Sequence, residues 1–138
     1  MTEKEWHDFL AVGTRTGKLA TTRKDGRPHV APIWFVLDDN GTIVLTTGAT
    51  SVKGRNLQRD SRAALAVEEQ APPYPFVIID GEVALSEDLD DLLLWSTRIA
   101  ERYVGPDKAE AFGRRNAVPG ELLVRLTPRN VVALDGAI

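Results

Sequence analysis

The chain has 138 residues, a formal net charge of −3 and a charged fraction of 27%, which are values of an ordinary globular protein rather than a disordered one. This length suits one domain, which we expect to span residues 1–138. The mildly acidic balance gives no general attraction for nucleic acid, and we expect no such partner. The chain has no cysteine, and its two histidines, His7 and His29, lack the spacing of a metal site, so we expect no bound metal.

Membrane attachment and export are not indicated either. No stretch approaches the ~20 consecutive apolar residues that a membrane-spanning helix needs. The sequence begins M-T-E-K-E-W, without the apolar core of a secretory signal. We therefore expect a cytoplasmic protein with no membrane partner.

The first predicted elements are a short helix and a group of strands. Thr2 and Glu5 have the spacing of a capping box, and apolar residues follow at helical intervals, which predicts a helix over about residues 2–12. Next, Asp25-Gly26 and Asn40-Gly41 are strong hairpin signals between apolar runs. We predict a meander of three antiparallel strands, over about 19–23, 28–37 and 42–47.

Pro32 lies inside the second of these predicted strands. A proline has no N–H to donate to a neighbouring strand, so it marks an edge, a bulge or a backbone segment that faces something other than a strand. Two interpretations follow. The segment from Ala31 to Trp34 is either an ordinary edge-strand bulge or a backbone that lies along a flat ligand ring.

The segment from Leu45 to Asp60 has the features of an anion site. It leaves an apolar strand through two threonines and a glycine, reaches a cap at Thr50/Ser51 and opens a short helix. Free N–H groups at a helix start, nearby hydroxyls and cations in the first turns suit an anionic ligand such as a phosphate. The basic and amide side chains of this helix are Lys53, Arg55, Asn56 and Arg59.

The second half of the chain mixes strands and helices without the regular repeat of a parallel sheet. Two strands are predicted at 62–67 and 75–86, the latter bent at Gly81. The remaining predicted elements are a helix at 87–103, a weaker helix at 107–116 and two closing strands at 122–126 and 130–134. This order predicts a mainly β fold, an antiparallel barrel of about six to seven strands with flanking helices.

Three motifs connect this order of elements to a known family. They read L-A-T-x-x-x-D-G-R-P-H-V-A-P-I-W-F from Leu19, T-T-G-x-x-S-x-K-x-R-N-L-x-x-D from Thr46 and P-Y-P-F-V-x-x-x-G-x-V from Pro73. Together they resemble the split β-barrel flavin-binding superfamily of pyridoxamine 5′-phosphate oxidase, and more narrowly its branch that uses the deazaflavin cofactor F420. The resemblance covers roughly residues 16–135 and implies an antiparallel split β-barrel that forms a homodimer.

The resemblance also implies which residues hold the cofactor, in a groove at the homodimer interface. The residues implied at its phosphate end are Thr46, Thr47, Ser51, Lys53, Arg55 and Asn56. Along the flavin or deazaflavin ring would run the backbone of Pro32, Ile33 and Trp34, while the second subunit would contribute Tyr74 and Phe76. In one departure from the pattern, Ser51 stands where some relatives have arginine. In another, the basic residues that clasp pyridoxal phosphate in the true oxidases are not recognisable, so pyridoxamine phosphate is not expected as the substrate.

The choice between FMN and F420 depends on charge. FMN ends in one phosphate, whereas F420 carries a phosphodiester and an oligoglutamate tail, so its site needs a basic path beyond the phosphate. Six basic residues can form such a path, which favours F420 as the cofactor: Lys53, Arg55 and Arg59 on the short helix, and Arg23, Lys24 and Arg27 on the first hairpin.

We therefore expect an F420H2-dependent oxidoreductase that transfers a hydride between F420 and an apolar or conjugated small molecule. The cofactor carries this chemistry, so no side chain is assigned a catalytic role. His29 is expected to face solvent or bond a neighbour. Two alternatives remain open: an FMN-dependent flavoprotein related to the pyridoxamine-phosphate oxidases, and a non-catalytic binder of a flavin or a haem-like ligand.

Overall fold

The computed structural model describes residues 1–136. Within this range the chain forms four helices and one seven-stranded antiparallel sheet. The helices are α1 (Glu3–Ala11), α2 (Val52–Arg59), α3 (Leu89–Val104) and α4 (Pro106–Asn116). The strands are β1 (Gly17–Thr22), β2 (Pro28–Ile33), β3 (Val36–Leu37), β4 (Ile43–Gly48), β5 (Arg62–Glu68), β6 (Phe76–Ser86) and β7 (Glu121–Leu134). The sheet order is β2-β1-β5-β6-β7-β4-β3.

The sheet curls into a half-barrel, which confirms the predicted mainly β, split-barrel fold. The two hairpins form where glycine permits a positive φ, at Gly26 (87°) and Gly41 (78°). The capping box at the start of α1 is also confirmed, because the Thr2 hydroxyl accepts a hydrogen bond from the Glu5 N–H while the Glu5 carboxylate accepts one from the Thr2 N–H. No helix in residues 1–136 is long and apolar enough to cross a membrane.

The predicted three-strand meander is wrong, because the chain leaves the sheet at Trp34 and Phe35. The predicted strand 28–37 divides there into β2, which pairs with β1, and β3, which pairs with β4. The two pieces end at opposite edges of the sheet. Helix α3 satisfies the backbone of the break: Phe35 donates its N–H to Tyr103 Oη and accepts at its carbonyl from Arg102 Nη1. These side-chain bonds replace the strand partner that the pattern predicted.

The two predicted closing strands are a single strand, β7. It pairs with β6 along its length, and the register shifts where Gly81 lies opposite Pro128 and Asp80 opposite Asn130. A Cβ at Gly81 would approach the carbonyl oxygen of Thr127 to 2.1 Å, so only glycine permits this close approach. The irregularity predicted at Gly81 is confirmed. It lets the strand continue past a proline instead of ending there.

The core follows from the two-residue period of the strands. Alternate residues of β4 and β7, such as Leu45 and Val124, point into the barrel, where α1 also buries Leu10. Their neighbours Val44 and Leu123 point outward and are covered by α3. Helix α3 is thus fixed across the outer face of these two strands, and its far end reaches the break in the sheet.

Candidate functional site

A groove of about 440 Å³ opens between the end of β2 and the helices α3 and α4. This volume is within the range of small-molecule sites. Part of its lining comes from the end of β2, the break after it, β4 and α2, and consists of Pro32, Ile33, Trp34, Thr46 and Lys53, all of them predicted cofactor-binding residues. The structure thus brings together five residues that are separated by up to 21 positions in the sequence. The helical side carries Ser96, Ile99, Ala100, Phe112 and Asn116.

The cationic end of the groove is set by α2. Ser51 caps this helix, since its Oγ accepts from the Gly54 N–H at 3.0 Å and donates to the Gly48 carbonyl at 2.8 Å. Because the one Ser51 proton goes to Gly48, the buried Thr47 hydroxyl, 3.0 Å away, donates to Ser51. The hydroxyls of Ser51 and Thr47 therefore shape the loop, while Lys53, in the first turn, lines the groove.

Glu121 is a neighbour of Lys53 that sequence reasoning missed. It begins β7 and pairs with Gly48 at the end of β4. Burial raises the pKa of the Glu121 carboxyl, and the positive charge of Lys53 opposes that rise. The carboxyl therefore lies close enough to Lys53 to be influenced by its charge, although Glu121 itself does not line the groove. No local pattern could reveal the pair, because it depends on the register of two distant strands.

Asn56 is buried and holds α2 against β1. Its Nδ2 donates to the hydroxyl of Thr21 at 3.0 Å, and its Oδ1 accepts from Arg59 Nη2 at 2.8 Å. Asn56 does not line the groove with Lys53, although the motif placed both near the phosphate. Its side-chain bonds are those of a residue that supports the fold.

Arg55 lies on the other side of α2, in a second depression that we call the basic cleft. It is bordered by Arg23, Lys24, Asp25, Val52, Arg55, Asn56 and Arg59. Four of the six basic residues predicted to form a path thus meet here, with one aspartate among them. Since Lys53 faces the groove and Arg55 the cleft, α2 borders both.

Tyr74 and Phe76 are not in the groove of their own chain. They border a third depression, formed with Ala66 and Ile78 on the outer side of β5 and β6. The resemblance assigned these two residues to the cofactor site of a second subunit. Tyr74 is exposed and Phe76 is half-buried on this outer face, a placement that is compatible with that role, which stays a prediction.

The helical side of the groove was missed by sequence reasoning. Helix α3 has an apolar stripe that includes Leu92, Trp95 and Ile99, but which part of it faces a ligand depends on packing. One signal was available in Ser96, a polar residue within that stripe. It is 2% exposed, and its Oγ has no hydrogen-bond partner within residues 1–136. Because unpaired buried hydroxyls are uncommon in proteins, Ser96 is a candidate residue of a functional site.

His29 differs from its expected environment. It lies on β2 opposite Thr21, and its Nδ1 is buried without a hydrogen-bond partner in the described residues. It does not line the groove. Within residues 1–136 no group of three or more His, Asp or Glu side chains is arranged to hold a metal ion.

Comparisons with known proteins identify the family. A family model described as "Pyridoxamine 5'-phosphate oxidase" matches residues 2–135. The F420H(2)-dependent biliverdin reductase of Mycobacterium tuberculosis is 34% identical over 90 residues, which cover 64% of this chain and 63%, less than two thirds, of that relative. The crystal structure of conserved hypothetical protein Rv2991 from Mycobacterium tuberculosis aligns with a TM-score of 0.86 and 32% identity, over 98% of this chain and 85% of that one.

A further solved structure, named F420 Reductase, aligns with a TM-score of 0.72 and 23% identity, over 91% of this chain and 94% of that one. At this identity the likeness concerns the fold. The chain belongs to the pyridoxamine 5′-phosphate oxidase family. The predicted family and its resemblance to F420-using members are confirmed.

Proposed function

We propose that this protein is an F420H2-dependent reductase of a conjugated small molecule. The observation that carries the proposal is the arrangement around α2. Lys53 lines a groove whose helical side is uncharged, and Arg55 on the same helix faces the basic cleft. A ligand with a flat ring, a phosphate and a polyanionic tail has all three parts matched by this surface.

In this proposal each part of the cofactor has its residues. The backbone of Pro32, Ile33 and Trp34 lies along the ring, and Thr46 and Lys53 bind the phosphate. Arg23, Lys24, Arg55 and Arg59 in the basic cleft attract the glutamate tail. When bound, reduced F420 supplies a hydride, and the chain's residues bind and orient the two reactants. The negative charge of Glu121 beside Lys53 limits how strongly this end of the groove attracts anions.

Two relatives support the cofactor assignment. One is named an F420H(2)-dependent biliverdin reductase and another an F420 Reductase. The first name makes biliverdin, a conjugated chain of four individually flat pyrrole rings, the first acceptor to test. The uncharged helical side of the groove, with Ile99, Ala100 and Phe112, suits such a molecule.

A homodimer is part of the proposal. On the outer face of the sheet Ile78 and Val132 are direct partners in neighbouring strands, and they are 40% and 51% exposed. Leu134 and Val30 on the same sheet are also exposed. An apolar surface of this kind marks an interaction site, and we assign it to a second copy of the chain. Tyr74 and Phe76 border this surface and would reach the partner's cofactor.

The alternative cofactor is FMN, because membership of this family supports flavin binding in general. Fluorescence titrations of the purified protein with F420 and with FMN distinguish the two. We expect the lower dissociation constant for F420, because the basic cleft adds attraction only for the tailed cofactor. Equal affinities, or tighter binding of FMN, would remove the proposal's support.

The same titration tests the phosphate site through Lys53→Ala. This change should weaken F420 binding by about 1.5–3 kcal/mol, roughly 10- to 150-fold, because it removes a charged hydrogen-bond donor. Lys108→Ala, an exposed position on α4, is the matched control and should leave the dissociation constant unchanged. An unchanged value for Lys53→Ala would mean that the phosphate binds elsewhere.

The second alternative is a non-catalytic binder of a flavin or a haem-like ligand. It predicts that the protein binds its ligand but does not catalyse oxidation of F420H2 by biliverdin, menadione or a nitro-aromatic acceptor. Turnover with any one of these acceptors would exclude it.

A further inference from the structure

Trp34 has an unusual environment for an exposed aromatic residue. It is 42% exposed and lines the groove, yet its indole ring is stacked on the ring of Tyr103. The ring centroids are 4.9 Å apart and the planes differ by 3°. Such offset or parallel pairs are stabilising beyond the area that they bury. One face of the indole is therefore covered by protein.

Tyr103 is itself held firmly from several directions. Its Oη donates to the Arg15 carbonyl at 2.8 Å and accepts from the Phe35 N–H at 3.3 Å. The Arg102 guanidinium lies 5.0 Å from the centroid of the Tyr103 ring and donates to the carbonyls of Leu10, Gly13 and Phe35. Turning the Tyr103 ring away from Trp34 would disturb these contacts. The plane of Trp34 is thus set by a fixed neighbour.

We propose that the Trp34–Tyr103 pair is a preformed aromatic platform on which the planar, conjugated substrate stacks. Trp34 is the residue that contacts the substrate, and Tyr103 is a positioning residue that fixes the indole plane. This deepens the function proposed above and rests on it, because the substrate is the hydride acceptor of the F420-dependent reaction.

The charges around the groove assign the platform to the substrate rather than to the phosphate end of the cofactor. Among the groove-lining residues, those on α3 and α4 are uncharged, whereas Lys53 lies on α2. Trp34 makes its ring contact with Tyr103 of α3, so its indole belongs to the helical side. Ile99 and Phe112 complete an apolar surface around a flat ring. A conjugated acceptor without charge on its ring system fits this side.

The reaction served by this platform is balanced without a further reactant. When bound, reduced F420 would supply the hydride from its C5–H bond, whose electron pair forms the new C–H bond at an electrophilic carbon of the acceptor. The acceptor takes one proton from solvent at a heteroatom, and the oxidised cofactor returns its ring N–H proton to solvent, so protons and electrons balance. The platform contributes orientation, because hydride transfer needs the two flat systems at a defined separation.

The test compares Trp34→Leu, Tyr103→Leu and Tyr103→Phe in the full chain, with Leu94→Ala, exposed elsewhere on α3, as control. Three quantities are measured: the dissociation constant of F420, the KM for biliverdin with F420H2, and the dissociation constant of biliverdin alone, from its visible absorption. The last does not depend on catalysis. Melting temperatures report the folding of each variant.

We expect Trp34→Leu and Tyr103→Leu to raise both biliverdin constants by roughly tenfold, with F420 affinity changed less than about twofold. Tyr103→Phe keeps the stacked ring but loses the hydroxyl, so it should lower the melting temperature while leaving the biliverdin constants near wild type. A lower melting temperature with unchanged biliverdin constants in Tyr103→Phe, beside raised constants in Tyr103→Leu, distinguishes a positioning role of the ring from a merely structural one. If Tyr103→Leu does not fold, Trp34→Leu and Tyr103→Phe decide the question.

Unchanged biliverdin constants in Trp34→Leu would overturn the platform. So would an equal loss of F420 affinity, which would place the cofactor on the indole instead. Failure of the wild-type protein to bind F420 would contradict the proposed function alone, since biliverdin binding to the cofactor-free protein still tests the platform. Absence of biliverdin binding to wild type would contradict the assigned substrate class.

Discussion

At the level of single side chains, the polar groups around α2 divide into those that bond one another and those that face the groove. Ser51, Thr47 and Asn56 have protein partners for their side chains. Thr46 and Lys53 line the groove. The hydroxyls and the amide shape the loop and helix, and Lys53 presents its charge to a ligand.

Asn56→Ala tests this division. The change removes the donor to the Thr21 hydroxyl and the acceptor for Arg59, and it leaves a buried hydroxyl unpaired. We expect the free energy of unfolding to fall by about 1–3 kcal/mol. Urea denaturation measures it, with Lys53→Ala as the control from the same helix, which should change stability by less than about 0.5 kcal/mol.

A stability of Asn56→Ala equal to that of wild type, combined with weakened F420 binding, would reverse the assignment. It would make Asn56 a cofactor ligand, as the resemblance implied. The sequence motif could name Asn56 but not its role, because the choice between fold and ligand depends on Thr21, 35 residues away.

The groove-lining residues that could not be predicted from the sequence were missed for one physical reason. Ser96, Phe112 and Asn116 reach the groove only because α3 and α4 fold back over the strands. A helical period predicts which residues are buried, but it does not distinguish burial against the core from burial against a ligand site. Pro32 was different, because a proline inside a strand pattern already indicates an edge strand, and β2 pairs with β1 alone at one edge of the sheet.

At the level of elements, the central feature is the break between β2 and β3. The sheet opens there, and α3 supplies the hydrogen bonds that the break requires. Arg102 supplies three hydrogen bonds, because its guanidinium donates to the carbonyls of Leu10, Gly13 and Phe35 at 2.6, 2.9 and 2.7 Å. Burial lowers the pKa of Arg102, as expected for a cation removed from water, and burial likewise raises the pKa of Tyr103.

Arg102→Met should therefore destabilise the fold. It keeps much of the apolar stem but leaves three carbonyls without their donor, and we expect a loss of about 2–4 kcal/mol in the free energy of unfolding. Arg98→Met is the matched control one turn earlier, where an exposed arginine lies over the Trp95 ring. It should cost less than about 1 kcal/mol. Equal effects of the two changes, measured by urea denaturation, would show that the break does not depend on Arg102.

Most elements, and the turns at Gly26 and Gly41, could be predicted from local patterns. The pairing of the strands could not. The apolar run from Val30 to Leu37 satisfies a strand pattern throughout, and the break is caused by side chains of a helix that begins at Leu89. The continuity of β7 through Pro128 was equally hidden, because it depends on Gly81 in the neighbouring strand.

At the level of the whole molecule, the site is proposed to need two chains. Ile78→Glu would place a charge in the middle of the exposed apolar surface, opposite Val132. We expect wild-type protein to sediment as a dimer at micromolar concentration and Ile78→Glu to shift toward monomer, since burying an unpaired charge is costly.

Leu94→Glu, an exposed apolar position on α3, is the control and should remain dimeric. The F420 dissociation constant of each variant completes the experiment. A monomeric wild type with full F420 affinity would contradict the shared site.

We propose that the groove and the basic cleft together select F420. The most direct measurement is the absorption spectrum of the cofactor-free protein after incubation with F420 or with FMN and removal of free cofactor by desalting. We expect the F420 spectrum to be retained at close to one cofactor per chain and FMN to be largely lost. Retention of FMN with loss of F420 would contradict it.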